Sequence, residues 1–239
     1  MSKEAFHELL LADLDRSASL RARFAEDASL SERRSFVRSW QAARLARTHQ
    51  DLLESPRFHG AAEFFLVELY GPKDLSRHIE EVQRIASVMT KILPESGLAT
   101  VAHAMELNVL SESLDGAMVE ALGAGSATIT IATYGAAYRK IGRAVDRERQ
   151  IDLIALLGEA LDKLTRQRFV GMALTMMRKP AELAGLGELQ AFLERGYRAF
   201  GAMGGGAGEF VSIVVKRERA ISEALLAGDD TLLGRPPQS

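Results

Sequence analysis

The residues whose types and spacing could do chemistry are few, and they lie on segments that read as helix. Glu68 is the sharpest. In the stretch Glu63 to Asp74 (EFFLVELYGPKD) helical spacing puts it between Phe64 and Phe65 in angle, with Tyr70 close behind. A carboxylate in such surroundings must be paired, hydrogen-bonded or neutralised, and burial raises its pKa. It is a candidate acid or ligand contact, or else the structural partner of an arginine, for which Arg77 and Arg139 are candidates. The second constellation is His103 with Glu106, three apart and so neighbours on one helix, the imidazole sharing a face with Leu107, Leu110 and Leu114. A di-iron bundle needs inward carboxylates from four helices and two Glu-x-x-His pairs. Here the order is His-x-x-Glu and no second pair exists, which leaves a satisfied core histidine or a single haem-ligating imidazole.

Other motifs read as structure. The run from Gly204 to Gly208 lacks the preceding strand and the Lys-Ser/Thr ending of a phosphate loop, so it reads as a connection between helices. No Gly-x-Ser-x-Gly elbow occurs. Met172, Met176 and Met177 read as core filling. Arg33, Arg34, Arg38, Arg44 and Arg47 make one helix locally basic, and without interleaved aromatic residues this reads as a solvated face rather than a nucleic-acid surface.

The elements that must position these residues are helical throughout. Phe6, Leu9, Leu10 and Leu14 mark a first helix, Arg21 to Asp27 a short second one, and Ser29 or Ser31 caps a long helix to about Glu54. Ser55 and Pro56 read as N-cap and first turn of the helix that carries Glu68, closed by Gly71 and Pro72. Ile79, Val82, Ile85, Met89 and Ile92 form the next stripe, and Pro94 ends it. A helix from about Ser96 to Glu120 is apolar on two sides. The Ala-, Gly- and Thr-rich stretch from Ala121 to Tyr138 reads as helix, and Ile151 to Phe169 carries another strong stripe. Arg178-Lys179-Pro180 interrupts the pattern, and helices around Leu189 to Phe200 and Phe210 to Leu225 complete the chain. The expectation is an all-α, single-domain multi-helix bundle of about eight helices over 1–227, with a flexible tail over 228–239.

Composition narrows the function classes. The 239 residues are 47% hydrophobic with a net charge of -2, enough apolar content for a large core and no field to draw nucleic acid. There is no cysteine, hence no disulfide, thiolate metal site or cysteine nucleophile. The acidic and basic residues among the N-terminal leucines do not suit a secretory signal, so a cytoplasmic location is expected. The uncharged run between Glu120 and Arg139 has membrane-like length but too many Gly, Ser and Thr residues for a span.

Phe64-Phe65, Leu69-Tyr70-Gly71-Pro72 and Asp74 together resemble an uncharacterised family of bacterial helical proteins with an FFxxxLYGPxD-like segment. Glu106 to Asp115 (ELNVLSESLD) and Met176 to Ala181 (MMRKPA) look like further parts of that pattern. The resemblance, from about Ala61 to Leu225, implies a shared helical fold and no known activity. The reading that follows is a non-enzymatic ligand-binding or scaffold protein that self-associates, expected as a homodimer, with Glu68, Tyr70, Arg77, His103, Glu106 and Arg139 as its binding residues. An apolar small molecule is its expected ligand, and no cofactor is identified. The alternative is a metal- or haem-dependent enzyme using Glu68 and the His103/Glu106 pair.

Overall fold

A computed structural model describes residues 1–69, 76–123 and 128–234. Among them are eleven α-helices and no strand: α1 (Lys3–Ala25), α2 (Ala28–Thr48), α3 (Gln50–Glu54), α4 (His59–Phe64), α5 (Ser76–Ile92), α6 (Glu95–Leu122), α7 (Ile131–Ile141), α8 (Ala144–Thr165), α9 (Arg168–Leu183), α10 (Gly187–Gly201) and α11 (Ala207–Ala227). A π-helical turn, Phe65–Leu69, extends α4, and a 3₁₀ turn, Thr231–Gly234, follows α11. The all-α class is as expected, while the helices outnumber the eight read from the sequence.

The extra elements have local causes. Residues 21–25 are the last turns of α1 rather than a separate helix, and the Asp27 carboxylate accepts from the Ser29 and Leu30 N–H groups, so Asp27 caps α2 in place of either serine. The long helix expected to reach Glu54 breaks at His49, which ends α2 and begins α3. Ser55 ends α3 instead of capping the next helix: its carbonyl accepts from the Phe58 and His59 N–H groups, Pro56 sits in that turn, and α4 starts only at His59. The helix expected over 121–138 is two helix ends. Gly123, at φ 74°, closes α6, and Thr130 with Thr133 forms a reciprocal capping box that opens α7. Pro180 does not end α9, which runs on to Leu183 with no N–H at 180 for the Met176 carbonyl.

The longest helix, α6, organises the rest. Its 28 residues span about 42 Å, and it packs on α1, α2, α7 and α8. Leu98, Ala102 and Met105 join α1 and α5 in one apolar cluster. Leu107 joins the α4 turn, α8, α10 and α11 in a second, and Met118 and Val119 join α2, α7 and α11 in a third. Helices α8 and α11 meet at Gly158, where a Cβ would lie 2.3 Å from a Val211 methyl. Within 228–234 Leu233 is buried and Asp230 pairs with Arg139. No helix among the described residues is long and apolar enough to cross a membrane.

Candidate functional site

The residues singled out in the sequence are distributed over the bundle. Glu68 lies in the π-helical turn and is buried, and Arg195 of α10 donates Nη2–H to its Oε2 at 3.1 Å. Arg77 is exposed on α5, 3.6 Å from Glu188 of α10, and Arg139 of α7 holds Asp230. Neither arginine is the Glu68 partner named above. His103 of α6 meets the Phe6 ring of α1 edge-on, with centroids 5.6 Å apart, and burial pushes its pKa down. Glu106 accepts two hydrogen bonds from Arg149 of α8, at 2.7 and 2.6 Å. Tyr70 lies outside the described residues. Glu68 and His103 are therefore held against different helices, α10 and α1.

Of the basic face read on α2, Arg47 is exposed as expected, while Arg34, Arg38 and Arg44 turn into a largely enclosed polar layer. Arg34 donates to Glu112 at 2.8 Å with both side chains under 15% exposed. Arg44 donates to both oxygens of Glu218 at 2.6 Å, and His49 reaches Glu218 Oε1 at 3.0 Å. Burial alone would raise the Glu218 carboxyl, but the Arg44 charge and the His49 hydrogen bond override it and hold the pKa at about 2. Asp115 has its carboxyl enclosed, and burial pushes it up against the opposing charges of Arg38, Arg147 and Arg34 and a Gln41 hydrogen bond. Arg147 lies over the Tyr138 ring, 4.7 Å from its centroid, and the Tyr138 hydroxyl is 2.8 Å from Ser222 Oγ.

The same clasping runs the length of the α6 segment that carried the family resemblance. Beyond Glu106 and Glu112, Ser111 accepts from Gln150 at 2.8 Å and Ser113 from Arg143 at 2.9 Å. Glu106 and Ser111 tie α6 to α8, Ser113 to the residue that precedes α8, Glu112 to α2, and Asn108 donates to Ser17 of α1 at 3.4 Å. These are ion pairs and hydrogen bonds that fix helix order, with no nucleophile set against a base. Among the described residues no three His, Asp or Glu side chains converge as a metal site requires.

The feature that sequence reasoning misread lies on α9. Phe169, Met172, Met176 and Leu183 are 63%, 62%, 78% and 91% exposed, where core filling was expected of the methionines. At about 100° per residue, positions 169, 172, 176, 180 and 183 fall within one narrow stripe. Gly171, Leu174, Arg178 and Ala181 fall on the opposite face, and there α9 meets α10: Gly171 abuts Tyr197, the Leu174 carbonyl accepts from Gln190, and Arg178 pairs with Glu194. The stripe therefore points away from the bundle. Residue type alone could not say whether the chain itself covers these side chains.

Residues 20–232 match the domain of unknown function DUF8198. The chain belongs to this family. The expectation of an uncharacterised helical family thus holds, over a longer span than the motifs suggested. No curated protein and no solved structure matches the chain. The polar layer on α6 and the apolar face of α9 both lie within the matched residues.

Proposed function

We propose that this protein is a non-enzymatic helical scaffold that binds a protein surface through the exposed face of α9. The observation that carries the reading is the stripe itself. Large apolar side chains exposed together on one helix mark an interaction site more often than a solvated surface does, and methionine suits such a face because it adapts to its partner. The interior supports a scaffold: Glu68, Glu106, Glu112 and Glu218 are each engaged by an arginine from another helix, which stiffens the platform that presents α9. The enzymatic alternative has less support, since Glu68 is engaged by Arg195, Glu106 by Arg149, and His103 faces a phenyl ring. Two surface grooves, about 340 and 480 Å³, lie away from Glu68, one on α1 beside Asp15 and Ser19 and one between the end of α1 and the start of α2 beside Ala28 and Ser35.

A photo-crosslinking amino acid placed at position 176, in the chain expressed at native level in its own cell, tests the reading. Adducts are expected at 176 and not at the exposed Glu159. Equal labelling at the two positions, or none at 176, would overturn it.

A further inference from the structure

The partner of this face follows from its spacing, and the inference rests on the reading of α9 as a docking surface. Relative to Met176, the stripe positions Phe169, Met172, Pro180 and Leu183 stand at −7, −4, +4 and +7. That arrangement is symmetric about Met176. A two-fold contact is isologous, with residue i of one copy meeting j of the other and j meeting i. A second copy of α9 laid antiparallel across the first, with its axis passing Met176, brings Met176 onto Met176, Met172 onto Pro180 and Phe169 onto Leu183.

The charges agree with the same register. Arg168 and Glu182 are both exposed, lie on the same flank of the stripe, and neither makes an ion pair among the described residues. In an antiparallel pair equal flanks face each other, so Arg168 of one copy approaches Glu182 of the second copy, offset by two residues or about 3 Å along the axis. The contact repeats at both ends. Lys179, on that flank too, comes opposite Thr175 of the second copy. We infer that the chain forms a two-fold homodimer through antiparallel α9 helices centred on Met176.

Five apolar side chains of about 60–120 Å² each, counted on both copies, bury about 600–1,200 Å². This is the low end of specific interfaces, so the dimer is micromolar rather than nanomolar. Sedimentation equilibrium of the full chain from about 1 to 300 μM should show a concentration-dependent monomer–dimer equilibrium. Met176→Arg places two like charges on the axis and should weaken association at least tenfold with an unchanged circular dichroism spectrum. Arg168→Glu should weaken it about two- to tenfold, and Arg168→Glu combined with Glu182→Arg should restore it. Because the chain has no cysteine, Met176→Cys adds the sole thiol, and mild oxidation should cross-link it into dimers far faster than Glu159→Cys. Monomer throughout the wild-type series would overturn the inference, as would a dimer indifferent to Met176→Arg or a Met176→Cys that cross-links no faster than the control. A monomeric pure chain that still gives adducts of another mass at 176 in the cell would sink the dimer and leave the docking face standing.

Discussion

Glu218→Gln is the most informative change to the buried polar layer. In the native protein Glu218 is held at about 2 against a usual 4.5, with its side chain only 13% exposed. At about 1.4 kcal/mol per pH unit this displacement corresponds to about 3 kcal/mol. The folded-state pKa is the depressed one, so that stability is fully present above pH 4.5 and is lost as pH falls toward 2. At pH 3 about 2 kcal/mol of it is already gone, from the same two-state proton binding. Glutamine cannot carry the charge and leaves Arg44 buried without its anion, a loss of about 3–5 kcal/mol at neutral pH. Urea unfolding of wild type and Glu218→Gln, followed by circular dichroism between pH 7 and 3, reads the difference directly. The gap between the two should narrow by about 2 kcal/mol over that range, mostly between pH 5 and 3. Parallel losses for the two proteins would refute the reasoning, since other carboxylates titrate equally in both.

Three further changes test the packing around α6 and α4. Asp13 is buried on α1 with one oxygen lacking a hydrogen bond, and burial raises its pKa, with Arg16 at 3.7 Å opposing the rise. Its ionised form is thus a burden on the fold at neutral pH. Asp13→Asn should stabilise by about 1 kcal/mol at pH 7, and the gain should vanish below pH 3.8, where the acid is protonated folded or unfolded; a gain that persists there would count against this account. Gly158→Ala forces a methyl within 2.3 Å of Val211 and should cost about 1–3 kcal/mol in urea unfolding, with Val211→Ala recovering most of it. Glu68→Gln removes the anion facing Arg195 and should cost about 1–3 kcal/mol, read the same way; a neutral effect would mean that the pair contributes nothing.

The legible part of the fold was the part set by neighbours in the chain. Ile79, Val82 and Met89 are buried as their spacing predicts, and Pro94 stands at the start of α6. Boundaries failed where two local signals competed. Ser55 and Pro56 carry a good N-terminal signature, yet the Ser55 carbonyl closes a turn instead, and the Thr130/Thr133 capping box starts a new helix within a segment read as one. The polar layer was illegible for a different reason. The arginines of α2 look solvated because the carboxylates that neutralise them, Glu112 and Glu218, stand 78 and 174 residues away. No pattern within one helix reports such a partner. The ELNVLSESLD segment did carry a signal, since charges and hydroxyls scattered round an otherwise apolar helix must find partners on several sides. On α9 the methionines read as core, with no helical stripe assigned to the segment, because an exposed apolar side chain carries the same local signal as a buried one.

Methionine oxidation is the most direct test of the central claim that the α9 face is open in the isolated chain and covered when the protein is at work. Dilute peroxide on the dilute protein should oxidise Met172 and Met176, at 62% and 78% exposure, far faster than Met118 and Met203, at 0% and 1%. In intact cells the Met176 rate should fall toward that of Met118. A Met176 that is as slow as Met118 in the dilute protein, or that oxidises in cells as fast as in dilute solution, would contradict the account.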